Sequence, residues 1–464
     1  MESLPDLRTP SRASRRASDP APQAGAGHEP VRARRLLFDA LGALPFRGLT
    51  PARRALRGLP GGAIGSGIGK NGTQVSAHAP APSADVLQLG KYYPPEPGGI
   101  EQVTRSLVEA THGRLRHYCL LAARSGRTRV EEVPGATLHF LRERGTLMLA
   151  PLLPSLPFVL HGLRKRGFPV LLLHAPNPLA TVALACSFAL RPKREKLVVW
   201  YHADALFDRA WKRAVHALYR PFERFVFRRA DVFVAATPHH VAASPALAAV
   251  ASRVRVIPYA IQDSWFAAES SDAARVEECR RQMDGRYLLF VGRLAAYKGL
   301  DTLLAAAPRL AAPVAIVGSG PLEAELRREI ANHGLAARVR LIGHVEDLRS
   351  WYAGCEALVL PSSSALEAFG LVQVEAMAMG KPVVSTNLPT GVTWVNRDGE
   401  TGLIFPVGDA AALAAACNRL LGDEILRARL GAQARARATR EFSCAALGDR
   451  FVAFVREAGW ERPA

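Results

Sequence analysis

From Asp85 onward, apolar and polar residues alternate in blocks that read strand, loop, helix, repeatedly. DVLQLG opens as a strand, and a glycine-rich loop leads into a helix over GGIEQVTRSLVEA. Further buried strands are expected near 117–122, 136–141 and 170–174, in KLVVWYHAD at 196–204, and at 230–237 and 253–261. A linker is expected roughly between Asp263 and Asp284. The same alternation restarts at Arg286, with apolar strands in LLFV, VAIV, VRLIGHV and ALVLPS, and VVST after Pro382. Two halves of alternating strands and helices imply an α/β chain of two Rossmann-like domains facing a central cleft, over 84–268 and 284–440. A last helical stretch covers 441–464. The apolar run 170–190 is long enough to span a bilayer. His174, Pro176, Asn177 and Pro178 divide it into a buried strand and a buried helix, and Pro151, Pro154 and Pro157 break the run 147–160. No membrane-spanning segment is expected.

Composition alters this picture at the ends and on the surface. Residues 1–83 are rich in Ala, Arg, Pro, Gly and Ser without sustained apolar period, and read as a disordered basic extension with one short helix near Arg34 to Leu41. The GSGIGK within it is not a Walker loop, which needs Gly at Ile64 and Ser or Thr at Asn71. The formal net charge of +19 calls for an anionic partner: nucleic acid, an anionic membrane, or phosphorylated substrates. Trp211 to Arg229 mixes arginines with aromatics, as a helix packed on its own sheet or as one that touches an anionic membrane. The 6 cysteines are scattered, without C-x-x-C, which points to reduced thiols in a cytosolic protein. The start carries no secretion signal pattern.

The candidate chemistry lies in LPSSSALEAFGLVQVEAMAMGKPVVSTN, residues 360–387. Glu367 follows a serine run and reads as a loop residue. From Leu371 the pattern turns helical, and it stops at Gly380 ahead of Pro382. A helix starting near Phe369–Gly370 offers unpaired N–H groups to phosphate or sugar oxygens. Gly370 lets a ligand approach the backbone. The eight residues from Glu367 to Glu375 span roughly 12 Å at helical rise, the reach of a nucleotide sugar. On spacing alone, two ordinary acids on a solvated surface helix are the better fit. RYLLFVGRLAAYKGLDTLLAAA adds Arg293 and Lys298 on a turn at the carboxyl end of a strand, where two cations suit a diphosphate. Gly98–Gly99 likewise permits close approach at a helix start or makes a plain tight turn.

Together, G-R-x-x-x-x-K-G at Gly292–Gly299 and the two glutamates with seven residues between them, Glu367 and Glu375, resemble the retaining GT-B glycosyltransferases of family four, from about residue 85 to the end. The resemblance implies that Arg293 and Lys298 neutralise a departing diphosphate, without a metal ion or other cofactor. It implies that Glu367 and the N–H groups of Phe369, Gly370 and Leu371 hold donor hydroxyls and that Glu375 holds the ribose. It places Gly98–Gly99 by the donor diphosphate and acceptor, sets His202, in an H-x-D context, at the donor sugar or phosphate, and returns the last helix to the first domain. KYYPPEPGGIEQV, WYHAD and LPTGVTWVN are similar to bacterial mannosyl- and rhamnosyl-type enzymes of surface-polysaccharide assembly. That implies a GDP-sugar donor, a lipid-linked oligosaccharide acceptor, and a cytoplasmic place on the inner face of the membrane. No residue is a clear nucleophile, so front-face attack by the acceptor hydroxyl is expected. The rival readings are a UDP-sugar donor, a GT-B sugar-nucleotide epimerase, a nicotinamide dehydrogenase and a basic nucleic-acid-binding protein. The dehydrogenase lacks its glycine–acid set, and the nucleic-acid reading lacks a known module.

Overall fold

The computed structural model describes residues 84–460, apart from 97, 125, 148–149, 205–209 and 268–270. The expected disorder of 1–83, the short helix near Arg34 and GSGIGK lie outside the described residues. The strands are β1 (Ala84–Leu89), β2 (Leu115–Ala123), β3 (Arg129–Val133), β4 (Ala136–Arg142), a small ribbon of β5 (Thr146–Leu147) and β6 (Ala150–Pro151), β7 (Val170–Ala175), β8 (Lys196–Tyr201), β9 (Val232–Ala235) and β10 (Val254–Val256). The second half holds β11 (Leu288–Val291), β12 (Val314–Val317), β13 (Val339–Gly343), β14 (Ala357–Leu360), β15 (Val383–Thr386) and β16 (Gly402–Phe405).

These strands make an 8-stranded sheet in the order β10-β9-β8-β7-β1-β2-β4-β3 and a 6-stranded sheet in the order β13-β12-β11-β14-β15-β16. Every pair in the second sheet is parallel. In the first, only β3–β4 is antiparallel. Helices cover both faces of such sheets, so strands read as continuous apolar runs; VLLLHA and LLFV are buried at every position. The alternation pattern did not reveal β3. Its RVEEV is charged and exposed, a composition that blunts a sheet edge.

The helices that bear on the site are, in chain order, α1 (Gly99–Ala110), α2 (Pro178–Leu190), α3 (Ala210–Arg229), α4 (Pro238–Ala243), α5 (Ala273–Gln282), α6 (Leu300–Ala306), α7 (Leu371–Ala378), α8 (Gly391–Val395), α9 (Glu424–Phe442) and α10 (Cys444–Glu457). The stretch expected as linker contains α5, started by Asp272, whose carboxylate accepts the Ala274 N–H. No helix among the described residues is long and apolar enough to cross a membrane. The 170–190 run is β7 followed by α2, which Asn177 caps through the Ala180 N–H.

The chain crosses between the halves twice, side by side. The Ile261 N–H donates to the Phe442 carbonyl at 3.0 Å, and the Cys444 N–H donates to Asp263 Oδ1 at 2.9 Å. After the second crossing α10 lies on α1 of the first half. Phe451 stacks on Trp200 at 5.9 Å, and Arg114 pairs with Asp449 at 2.6 Å. One apolar cluster runs unbroken from Val86 and Trp200 through Tyr259, Phe369 and Phe442 to Met377.

The seat of α10 depends on Gly448. A Cβ there would stand 2.1 Å from the Ala110 carbonyl oxygen and 2.0 Å from Arg114 Nη2. Helix propensity alone favours alanine over glycine by about 1 kcal/mol. Gly448→Ala is nevertheless expected to destabilise the protein by about 1–3 kcal/mol through overpacking. Urea denaturation measures this; equal or greater stability would show that α10 is not clamped on α1.

Candidate functional site

Three loops at the carboxyl ends of β11, β12 and β14 build the site, the edge of a parallel sheet where ligands bind. Backbone contact locks them together. A Cβ on Gly318 would meet the Gly292 carbonyl oxygen at 2.0 Å, and one on Gly320 would meet that of Leu294 at 2.4 Å. The Gly318–Gly320 turn, which in sequence resembles a dinucleotide loop, therefore buttresses the Gly292–Gly299 loop. Gly299 sits at φ 66° at the start of α6, where a Cβ would stand 1.9 Å from the Pro361 carbonyl oxygen. The Ser363 N–H donates to the Tyr297 carbonyl at 2.8 Å. The Arg293–Lys298 turn and the Glu367 loop are thus one docked unit.

Lys298 and Glu367 meet inside it. Nζ lies 2.5 Å from Glu367 Oε2, and both residues are more than nine-tenths buried. The Ser362 hydroxyl donates to the same carboxylate oxygen at 2.9 Å. Burial alone would lower the Lys298 ammonium; the negative charge of Glu367, with smaller help from Tyr297 and Glu375, outweighs it and raises the group above its ordinary value. Lys298 is therefore a buried, paired cation. Two further bonds fix the Glu367 loop: the Thr390 hydroxyl donates to the Glu367 carbonyl at 2.8 Å and the Thr386 hydroxyl to that of Ser362 at 2.8 Å.

Glu375 projects from α7 and accepts the Tyr352 hydroxyl at 2.7 Å. It is half-buried, and the protein packed around it raises its carboxyl, against the opposing pull of Tyr352 and Lys298. Arg293 is exposed on the same turn as Lys298, with no carboxylate partner among the described residues. Gly370 takes φ 75° at the start of α7, with Leu371 as the first helical residue. A Cβ on Gly370 would meet Gln373 Nε2 at 2.8 Å. The Gln373 side chain donates to the Phe369 carbonyl at 3.0 Å, which closes the turn.

Phe369 joins the two halves. Its ring centre lies 4.9 Å from that of Tyr259, whose hydroxyl is 2.7 Å from His202 Nδ1. The other His202 nitrogen, Nε2, is 2.9 Å from His174 Nδ1. His202 is buried with both ring nitrogens engaged by protein, so here it bears on its surroundings through Tyr259. Behind it stand Gln88 and His117, joined to His174 and to each other by side-chain hydrogen bonds. Gly98 and Gly99 open α1. Gly98, at φ 159°, lies against the buried Glu101 carboxylate, which would stand 2.0 Å from a Cβ there. The structure brings Lys298, Glu367 and Glu375 together on the second half and sets Phe369 against Tyr259. It gives Gly98 and Gly99 no hydrogen bond to these groups.

Tyr352, Ser362 and Tyr259 escaped sequence reading. Tyr259 was absorbed into the expected strand 253–261, which ends at Val256. Its place just past the carboxyl end of a parallel strand was the available signal. Among the described residues no group of His, Cys, Asp and Glu is arranged to hold a metal ion.

The family model for glycosyl transferases group 1 matches residues 275–437, and that for a glycosyl transferase 4-like domain matches 98–260. The chain is 32% identical over 305 residues to the O-antigen chain mannosyltransferase C of Escherichia coli, covering 64% of this chain and 79% of the relative. It is 32% identical over 368 residues to the D-rhamnosyltransferase WbpZ of Pseudomonas aeruginosa, covering 77% and 92%. In fold it resembles Anabaena Alr3699/HepE, solved in complex with UDP, with a TM-score of 0.63 at 21% identity over 80% of this chain and all of the other. Lipopolysaccharide glycosyltransferase WaaG superposes with a TM-score of 0.54 at 16% identity, over 80% and 99%. These neighbours share the GT-B architecture.

The buried histidines give the fold a pH dependence. Burial holds His117 and His174 down to about 3 and His202 well below the ordinary 6.5. Between those values the unfolded chain takes up protons that the folded chain refuses, so stability present above the ordinary value is lost as pH falls. The expected slope is about 1.4 kcal/mol per pH unit per histidine. His117→Gln should flatten the slope by one histidine's share in urea titrations between about pH 4 and about pH 6, inside that window. An unchanged slope would show that His117 titrates alike in both states.

Proposed function

The chain belongs to the glycosyltransferase family marked by the group 1 and 4-like domains, and from that we propose that it moves a mannose- or rhamnose-type hexose from a GDP-sugar to a lipid-linked oligosaccharide of a surface polysaccharide, with retained anomeric configuration. The observation that carries this reading is the buried contact of Lys298 with Glu367 beside the start of α7. A diphosphate entering there offers Lys298 a stronger anion than one carboxylate. The ammonium then turns toward phosphate, with Arg293 alongside, and Glu367 is released to accept hydrogen bonds from hydroxyls of the sugar. The N–H groups of Phe369, Gly370 and Leu371 face the same donor. Glu375, with one oxygen engaged by Tyr352, offers the other to the ribose.

In the transfer itself, the bond from the anomeric carbon to the diphosphate oxygen breaks, and its electron pair leaves with the phosphate. The acceptor oxygen bonds the anomeric carbon on that same face, and its proton passes to the departing phosphate oxygen. Lys298 and Arg293 stabilise the charge that grows there, an electrostatic effect aimed at the transition state. Gly98 and Gly99 present bare backbone to the diphosphate and acceptor, and His202 acts by holding Tyr259. The relatives that act on mannose and rhamnose support the sugar class. A UDP-sugar is the second reading, because a structural neighbour was solved with UDP-glucose.

Turnover of GDP-mannose, GDP-rhamnose, UDP-glucose and UDP-N-acetylhexosamines by the purified chain tests this. A GDP-sugar is expected to be used. Lys298→Ala should lower kcat by about 10²- to 10³-fold, as when one transition-state donor is lost. Glu375→Gln should act mainly on donor KM. Melting curves check that each variant is still folded at the assay temperature, since Lys298→Ala also breaks a buried pair; normal turnover by both folded variants would refute the site.

A second expectation concerns the place of work. Arg213, Arg220, Arg224 and Arg228 are exposed on α3 beside Leu218, itself 76% exposed. We assign this face to an anionic membrane on which the chain rests peripherally at the cytoplasmic side. Co-sedimentation with phosphatidylglycerol vesicles is expected. Reversing Arg220 and Arg224 to Glu should weaken it about tenfold or more, at about 1 kcal/mol per charge. Equal binding by the reversed variant would refute this face.

A further inference from the structure

A line of polar side chains crosses the apolar interior of the first sheet. It starts at the helix carbonyl of Leu107, which accepts the Thr111 hydroxyl at 2.8 Å. Thr111 Oγ1 is 2.7 Å from His117 Nε2, and His117 Nδ1 is 2.7 Å from Gln88 Nε2. Gln88 Oε1 is 2.9 Å from His174 Nε2, His174 Nδ1 is 2.9 Å from His202 Nε2, and His202 Nδ1 is 2.7 Å from the Tyr259 hydroxyl. Every member is at most 6% exposed.

The strand register explains how the line forms. His117 pairs with Val86, and Gln88, two residues beyond Val86, pairs with Leu172. His174, two beyond Leu172, pairs with Trp200, and His202 lies two beyond that. Each step to the next strand also moves two residues toward the carboxyl edge. Side chains alternate between faces with period two, so all four share one face and climb toward the cleft.

Chemistry fixes the direction. Thr111 has one hydroxyl proton, and it goes to a carbonyl, which can only accept. His117 Nε2 must then donate to Thr111, and its Nδ1 must accept from the Gln88 amide. Gln88 Oε1 accepts from His174 Nε2, whose Nδ1 accepts from His202 Nε2. His202 Nδ1 is left to accept the Tyr259 hydroxyl. Each imidazole is neutral, protonated at Nε2, and oriented by its neighbour, so the assignment of each determines the next. The far end is a helix carbonyl with no exit, so the line orders groups and does not carry protons away.

We propose that Gln88, His117 and His174 are positioning residues for the transfer reaction: they fix the tautomer of His202, and so the hydroxyl and ring of Tyr259 against which the donor-loop residue Phe369 rests. Desolvating three imidazoles and an amide is costly, and an apolar filling would complete the surrounding Val86, Val198 and Trp200 core more cheaply. The line ends at the ring that touches Phe369, 4.9 Å away, and that is where its order has an effect. The proposal rests on reading Phe369 as part of the donor site.

The test uses the full chain with 15N-labelled histidine. Imidazole spectra near neutral pH should show His117, His174 and His202 each as a single neutral Nε2–H tautomer. Gln88→Met keeps the volume and cuts the line. It should release His202 into a mixture of tautomers and raise donor KM about fivefold, the weight of one neutral hydrogen bond, with kcat little changed. Tyr259→Phe should raise KM similarly, and the double variant no further. His139→Leu alters a buried histidine on β4 outside the line and calibrates lost stability alone. Wild-type spectra with another tautomer, or a His202 spectrum unchanged in Gln88→Met, overturn the proposal whether or not any donor is found. A KM shift no larger than that of His139→Leu overturns the positioning role. Failure of every nucleotide sugar instead refutes the donor reading and leaves the spectra to judge the line.

Discussion

A buried ammonium must have a counter-charge, and Lys298 has one in Glu367. That requirement organises the second half of the molecule. The two residues stand on different loops, so the loops must dock at backbone distance, and Gly299 allows this against Pro361. Gly318 and Gly320 bring a third loop against the first. The sheet below is parallel throughout, so all three loops leave the same edge. Breaking a buried pair by removing one partner typically costs about 3–5 kcal/mol, whereas exchanging a carboxylate for phosphate keeps the cation paired.

The first half meets this site through aromatic contact rather than charge. Tyr259 against Phe369 and Phe369 against Phe442, at 5.9 Å, carry the apolar interior from one sheet to the other. Trp394 adds an edge contact to Phe442 at 5.7 Å, and the Arg437 guanidinium lies 5.3 Å from the Trp394 ring centre. The two adjacent crossings, at Ile261–Phe442 and Asp263–Cys444, keep the covalent connection between the halves narrow.

Much of this was legible in the sequence, and the limits have physical causes. Strand–turn–helix blocks were readable because parallel strands buried on both faces need continuous apolar runs, as in Leu288–Val291. Arg293, Lys298, Glu367 and Glu375 stood out only through the resemblance of their two motifs to family four, because spacing alone favours ordinary solvated charges at each position. That Lys298 and Glu367 touch was not readable, since it depends on a separation of 69 residues closing across neighbouring strands. The polar line was hidden for the same reason. Gln88, His117 and His174 each look like one odd residue in an apolar strand, and only the register of four strands aligns them. Edge strand β3 was missed because an edge needs no apolar alternation.

The return of α10 separates the order of synthesis from the order of completion. Trp200 and the outer face of α1 belong to the half translated first, yet Phe451 and Gly448 cover them from the half translated last. While the ribosome is still making residues 284–440, the earlier half has an uncovered apolar stripe that nothing nearby in the chain can hide. Such a nascent intermediate is a client for chaperones and a risk for aggregation until residues 444–457 emerge.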